Sequence, residues 1–257
     1  MKFQSYLPSP RLRPYVKELI ISENGHAQTY KVLPGTSLVM GFQYAGKLSY
    51  INSDILINLS TAGVTGLMNS YRIFSNSAGI GSILVVFTET GASRFIRQPV
   101  HELFDQSLSL DHFFDRAELN KTEELLSIAD TDSKRIYIIE QLLVAHLQES
   151  REDKLVTAAI NLIHQHKGTI RIADLARNLN TSQSPLEKRF RKIVGSSPKK
   201  FSSIVRAKSV MEFLKQGSWQ GALHLGDYHD QAHLIKEFKT YSGATPEQYI
   251  KELRKIR

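Results

Sequence analysis

Phe190-Arg-Lys-Ile-Val-Gly195-Ser-Ser197-Pro198-Lys-Lys-Phe201 and Phe238-Lys-Thr-Tyr-Ser-Gly243-Ala-Thr245-Pro246-Glu-Gln-Tyr249 share one pattern at a constant offset of 48 residues. The match extends upstream, where Leu186 stands opposite Leu234 and Gln183 opposite Gln231. Leu and Phe four apart bury one helical face. Gly then stops the helix, because it adopts the left-handed cap without a Cβ penalty. Ser or Thr followed by Pro starts the next helix, one as cap and the other at the first helical position. Each copy therefore predicts helix, tight turn and helix, and two copies predict tandem recognition units.

Charge is distributed to match. Residues 153–257 carry 19 Lys and Arg against 9 Asp and Glu, whereas residues 1–152 carry 14 against 16, so the net charge of +8 comes wholly from the half with the repeat. A polyanion-binding surface needs such a concentrated positive field, which makes nucleic acid the leading partner. By charge alone a solvated basic face serves as well.

With 41% hydrophobic residues the chain buries a sizeable core, and its 257 residues suit two ordinary domains. The start, Met1-Lys-Phe-Gln-Ser-Tyr-Leu-Pro8, lacks the apolar run of a signal peptide, and no stretch approaches a membrane span. A cytoplasmic protein without membrane contact is expected. Cysteine is absent, which excludes disulfides, thiolate nucleophiles and Cys-ligated zinc.

Between residues 30 and 100, β-rich runs at Tyr30–Leu33, Ser37–Phe42, Lys47–Ile51 and Ile83–Phe87 alternate with Gly, Asn and Ser turns and predict a β-barrel or sandwich. From about Asp111 the period becomes helical. After a short helix near Glu118–Ile128, the residues Ile136, Ile139, Leu142, Leu143 and Leu147 share one face, which suits a contact with a second copy as well as packing on the barrel. The charged run Gln148–Lys154 lacks apolar periodicity and marks a domain boundary, giving residues 1–150 and 151–257. Beyond it Leu155, Ala158, Ala159, Leu162 and Ile163 form an amphipathic stripe that ends at Gly168. A second helix is expected over Ile172–Asn178, a connecting helix over Phe201–Gln216, and Trp219 as a core anchor of the second unit.

The leading helix of the first copy opens at Ser184-Pro185-Leu186-Glu187, which reads as a capping box with Pro in the first turn. Ser182 is the competing cap. Either choice presents free N–H groups followed by Lys188, Arg189, Arg191 and Lys192. In a helix-turn-helix the N-terminal part of the second helix meets base edges while flanking cations meet phosphates.

Leu175-Ala176, Ser182, Leu186, Phe190, Val194-Gly195-Ser-Ser-Pro198-Lys-Lys-Phe201 and Arg206, followed by Asp230-Gln-Ala-His233, Phe238, Gly243, Thr245-Pro246 and Tyr249, resemble the AraC/XylS transcriptional regulators. More weakly, Pro34-Gly35, Phe87 and Pro99-x2-Glu102-Leu103 are similar to the barrel-like N-terminal domain of one branch of that family. The resemblance implies an α+β protein: a β-barrel or cupin-like domain with trailing helices, then an all-α double helix-turn-helix domain. It implies a sequence-specific DNA-binding regulator whose N-terminal domain senses a small-molecule effector, dimerises, or does both. The implied partners are duplex DNA, RNA polymerase, an effector and a second copy of the chain, with no cofactor, no metal and no catalytic residue. By motif position the base-reading residues are Gln183, Ser184, Glu187 and Lys188 in a first recognition helix, Gln183–Lys192, and Gln231, Ala232, Ile235 and Lys236 in a second, Gln231–Tyr241. The phosphate candidates are Arg191, Lys192, Lys199, Lys200 and Lys239.

Two places depart from the family pattern. Ala222-Leu-His-Leu-Gly226 fits its Ala-to-Gly spacing, but Asp227 then precedes Tyr228. This reads either as an inserted residue or, counted back from Phe238, as Leu223 and Asp227 in the Ala and Gly places. Arg171 stands where a Ser or Thr usually caps the second helix. Other chemistry is weak. His229 and His233 have the spacing of helical zinc ligands but lack the adjacent Glu of a zincin, and Asp230 suits a helix cap better. His164 and His166 suit a helix C-terminus. No histidine lies between Tyr30 and Gln98, so the barrel strands offer no His ligands to a metal. Neither a P-loop nor a nucleophile elbow is present. No enzyme activity is expected, and the competing class is a ligand-binding or protein-interaction module with only non-specific DNA affinity.

Overall fold

The β-rich runs pair into two antiparallel sheets in a computed structural model that describes residues 1–149, 151–217 and 231–256. The larger sheet has the order β1 (Lys2–Tyr6), β2 (Val16–Asn24), β9 (Ile80–Phe87), β4 (Val39–Ala45), β7 (Ala62–Thr65) and β10 (Ser107–Ser109). The smaller has the order β3 (Gln28–Val32), β8 (Arg72–Asn76), β5 (Leu48–Asn52) and β6 (Ile55–Asn58). The runs expected from the sequence fall in β3, β4, β5 and β9. Strands β1 and β2 extend the sheet upstream of the expected range. In β2 the consecutive residues Leu19, Ile20 and Ile21 are all buried, so no clean alternation announces a strand.

Alternation in β9 shows how the layers stack. Ser82 and Leu84 line a cavity between the sheets, whereas Ile83, Val85 and Phe87 are fully buried on the opposite face. Helices α1 (Arg116–Ile128) and α2 (Asp132–His146) contribute to the cluster on that face, through Leu119 and Leu126 of α1 and Ile139, Leu142 and Leu143 of α2. Asp115 caps α1 by accepting from the Ala117 and Glu118 N–H groups, and Thr131 caps α2 by accepting from that of Lys134. Ile139 and Leu143 are 0% exposed. The α2 stripe is thus spent within the chain, which corrects its reading as a dimer face.

The C-terminal half comprises α3 (Lys154–Gln165), α4 (Ile172–Asn178), α5 (Gln183–Val194), α6 (Pro198–Lys215), α7 (Gln231–Ser242) and α8 (Pro246–Ile256). The repeat in the sequence is a repeat in space. Helices α5 and α7 are each 12 residues long and end at Gly195 and Gly243, with φ of 93° and 75°. Phe190 meets Phe201 edge-to-face at 5.4 Å and 73°, and Phe238 meets Tyr249 at 5.6 Å and 67°. Ser197 Oγ accepts from the Lys200 N–H, and Thr245 Oγ1 from that of Gln248. The connecting helix begins at Pro198 rather than Phe201, because Ser197 caps it and Pro fills its first position. Arg171 provides no side-chain cap to α4. Trp219, the Ala222–Gly226 spacing, Leu223, Asp227, Tyr228, His229 and Asp230 lie outside the described residues.

One buried cluster runs from Leu12 through the barrel, α1 and α2 into α3, α4, α5 and the first half of α6. It crosses the charged segment at 148–154 without a break. A second cluster, formed by Ile204, Ala207, Val210, Met211 and Leu214 of α6 with Phe238 and Tyr241 of α7, holds the second unit.

Candidate nucleic-acid interface

Leu186, Phe190 and Val194 bury one face of α5, which leaves Gln183, Ser184, Lys188, Arg191 and Lys192 exposed and Glu187 half-buried. Ser182 occupies the cap position, so Ser184 lies inside the first turn and the Ser184–Glu187 capping box does not form. Glu187 instead accepts a hydrogen bond from Arg191 Nε at 2.9 Å. Pro185 is tolerated there because N–H groups of the first turn have no partner within the helix.

On the flank of the same helix, Arg189 donates from Nε and Nη2 to both carboxylate oxygens of Asp153, at 2.8 and 2.7 Å. Asp153 also caps α3 by accepting from the Val156 N–H. Burial opposes the charge of Asp153, but Arg189 and the cap outweigh it and hold the carboxyl below its usual range. Arg189 therefore fixes α5 against α3 while its side chain stays half exposed.

In α7 Leu234, Phe238, Tyr241 and Ser242 are buried. Gln231 opens the helix, Ala232, Lys236 and Lys239 are exposed, and Ile235 is half-buried. At the repeat offset, Ser184, Glu187, Lys188 and Arg191 become Ala232, Ile235, Lys236 and Lys239. The two helices present the same stripe, with cations conserved between copies at two positions and different chemistry at the other two. Helix α7 is fastened to α6 by Glu237, which accepts from Ser203 Oγ at 2.6 Å and from Arg206 Nη2 at 2.7 and 2.8 Å.

Both turns touch the β-domain. A Cβ on Gly195 would stand 3.1 Å from Val100, and one on Gly243 would stand 2.6 Å from the Tyr71 ring. Beside the second turn, Lys31 Nζ donates to the Ser242 carbonyl at 3.0 Å and Tyr241 Oη to that of Pro34 at 2.8 Å. Of the phosphate candidates, Lys199 is exposed, whereas Lys200 is half-buried and donates to the Asn69 carbonyl at 2.8 Å. Burial pushes the Lys200 ammonium pKa down. The contacts of Asp153, Glu237, Lys31 and Tyr241 join residues 31 to 211 positions apart, and no local sequence signal announces them. Among the described residues, no group of three or more His, Asp or Glu could hold a metal ion, and no helix is long and apolar enough to cross a membrane.

Residues 175–252 match a helix-turn-helix domain family, and residues 4–109 match a domain of unknown function, DUF6597. The chain is 28% identical over 159 residues to the Msm operon regulatory protein of Streptococcus mutans, covering 60% of this chain and 56% of that protein. It is 34% identical over 119 residues to an uncharacterized helix-turn-helix-type transcriptional regulator of Haemophilus influenzae, covering 45% of this chain and 39% of the relative. The match thus spans little more than half of one relative and well under half of the other. The structure of ToxT from Vibrio cholerae O395 is similar at a TM-score of 0.45 and 16% identity, over 91% of this chain and 97% of that chain.

Proposed function

We propose, from the premise that this chain belongs to the AraC/XylS family through its C-terminal helix-turn-helix domain, that it is a sequence-specific DNA-binding transcription regulator of the cytoplasm and not an enzyme. Residues 151–257 bind duplex DNA, and residues 1–150 respond to a small-molecule effector. RNA polymerase is the further partner that this role calls for. The reading is carried by the doubled stripe. Lys188 with Arg191, and Lys236 with Lys239, supply the same phosphate attraction in each unit, while Ser184 with Glu187, and Ala232 with Ile235, give each unit its own base preference. Two units joined by α6 suit successive major-groove segments about one helical turn, or ~34 Å, apart.

Selection of bound sites from a random duplex library by the full chain tests the proposal. The expected result is a motif in two parts about 10 bp apart centre to centre, bound with an affinity that falls by orders of magnitude between ~50 and ~200 mM salt. Salt-sensitive binding without an enriched motif would favour a ligand-binding module with only non-specific DNA affinity.

A further inference from the structure

The cavity between the two sheets has a volume of about 510 Å³, which lies in the range that holds a drug-sized ligand. No side chain that lines it is charged, and the ionic group at its edge is the α-ammonium of Met1. The amide side chains of the cavity are satisfied by one another, by a hydroxyl or by the backbone. The Gln43 amide donates to the Ser60 carbonyl and accepts from the Leu48 N–H, Asn76 donates to the carbonyls of His26 and Ser77, and Asn24 donates to Gln28. The remaining wall is apolar, with Val39, Leu84 and Phe74 as examples, and the exposed Met1 and Phe3 stand at its rim. A carboxylate or ammonium placed deep between the sheets would lose its hydration with no side-chain counter-ion to replace it, whereas a neutral molecule would lose little.

One wall of the cavity is shared. Tyr30, Val32, Leu33 and Gly35 line it, while Lys31 and Pro34, which alternate with them, hold the end of α7 through Ser242 and Tyr241. Leu33 also packs on the α6–α7 cluster. A displacement of this segment by a ligand on one side therefore changes the contact with the second unit on the other.

We propose that the cavity binds an uncharged, predominantly apolar small molecule, and that residues 30–35 report its occupancy to the second helix-turn-helix unit. The ligand class stands on the cavity alone, while the report to the second unit rests on the regulator reading above.

Phenylnaphthylamine and its sulfonated analogue anilinonaphthalene sulfonate share a ring system and differ by one charge, so titrating the full chain with each tests the class. The neutral probe should saturate at one per chain, and the anion should bind at least about tenfold more weakly. Leu84→Trp, which fills the cavity, should abolish binding of the neutral probe while circular dichroism shows the chain folded. Saturation with the neutral probe should also change hydrogen exchange in residues 231–249. Equal binding of the two probes overturns the ligand class, even if Leu84→Trp fails to fold. Binding that survives in a folded Leu84→Trp chain overturns the site. Unchanged exchange at 231–249 overturns the report to the second unit. A site selection without a motif would overturn the regulator reading and leave the ligand class standing.

Discussion

The two helix-turn-helix units share their frame and differ in their anchorage. The first is fused to the β-domain by one continuous apolar cluster, with Val194 and Val100 in it, and its Gly195 turn sits against Val100. The second has its own small cluster and meets the β-domain through Leu33, the Lys31–Ser242 and Tyr241–Pro34 hydrogen bonds, and the packing of Gly243 on Tyr71. Apolar fusion is cooperative, whereas a few polar contacts over a small patch open at lower cost. The first unit should therefore keep its orientation while the second is the one free to respond.

The largest expected effect breaks that comparison directly. Phe190 and Phe238 occupy the same place in the repeat and are 0% and 2% exposed. Truncation of either to Ala should cost about 3–5 kcal/mol in the structure it supports. Phe190→Ala should lower the melting temperature of the whole chain. Phe238→Ala should leave the main transition and release the second unit as a separate, earlier one. Calorimetry decides, and identical single transitions in both variants would show that the units are equally fused.

A smaller effect concerns the attitude of α7. Glu237→Ala leaves Ser203 and Arg206 without their shared acceptor, and loss of such a part-buried, charge-assisted contact costs about 1–3 kcal/mol. The half of the selected site read by the second unit should lose its base preference, while the half read by the first keeps it. A loss spread over both halves would contradict independent positioning.

The corresponding device in the first unit is Asp153 with Arg189. Asp153→Asn retains a capping oxygen but removes the charge, and is expected to cost about 1 kcal/mol at neutral pH. The Asp153 carboxyl is held below its ordinary 3.8, so the unfolded chain takes up its proton first. The contribution is present above that ordinary value and is lost as pH falls through the depressed one. The melting temperatures of the two proteins should thus converge in acid, and a constant difference would point to packing instead of charge.

These devices were not legible in the sequence, and the reason is physical. Gly195, Ser197, Pro198 and Phe201 lie within seven residues, so their local conformational preferences predict the frame without reference to anything distant. Pairs such as Arg206 with Glu237, or Lys31 with Ser242, depend on how whole helices pack, and spacing carries no trace of them. The stripe Ile136, Ile139, Leu142, Leu143 and Leu147 correctly announces a buried face in α2, but an amphipathic stripe does not say what covers it. The start of α5 at Gln183 is where the motif places it, but its cap was ambiguous, because Ser182 and Ser184 satisfy the same capping rule and only the backbone at Ser182 distinguishes them.

The smallest effect on stability bears most closely on readout. Glu187 and Ile235 are equivalent positions, and only the first carries a charge, opposed to the polyanion it would face. With no capping box to complete, Glu187 contributes to folding through its pair with Arg191, whose two side chains are only half-buried, at 45% and 47% exposure. Glu187→Ala should therefore change stability by no more than about 0.5 kcal/mol. It also frees Arg191 for phosphate, so affinity for random DNA should rise or hold. If Glu187 accepts from a base donor such as cytosine N4, the variant should lose about 1–3 kcal/mol of preference at one base pair in the first half-site. Glu187→Ile, which copies the second unit, should convert that position to the weaker preference of the half-site read by Ile235. A binding-site matrix measured for both variants checks this. An unchanged matrix would mean that Glu187 only restrains Arg191, and that the two units read sequence through the remaining positions of the stripe.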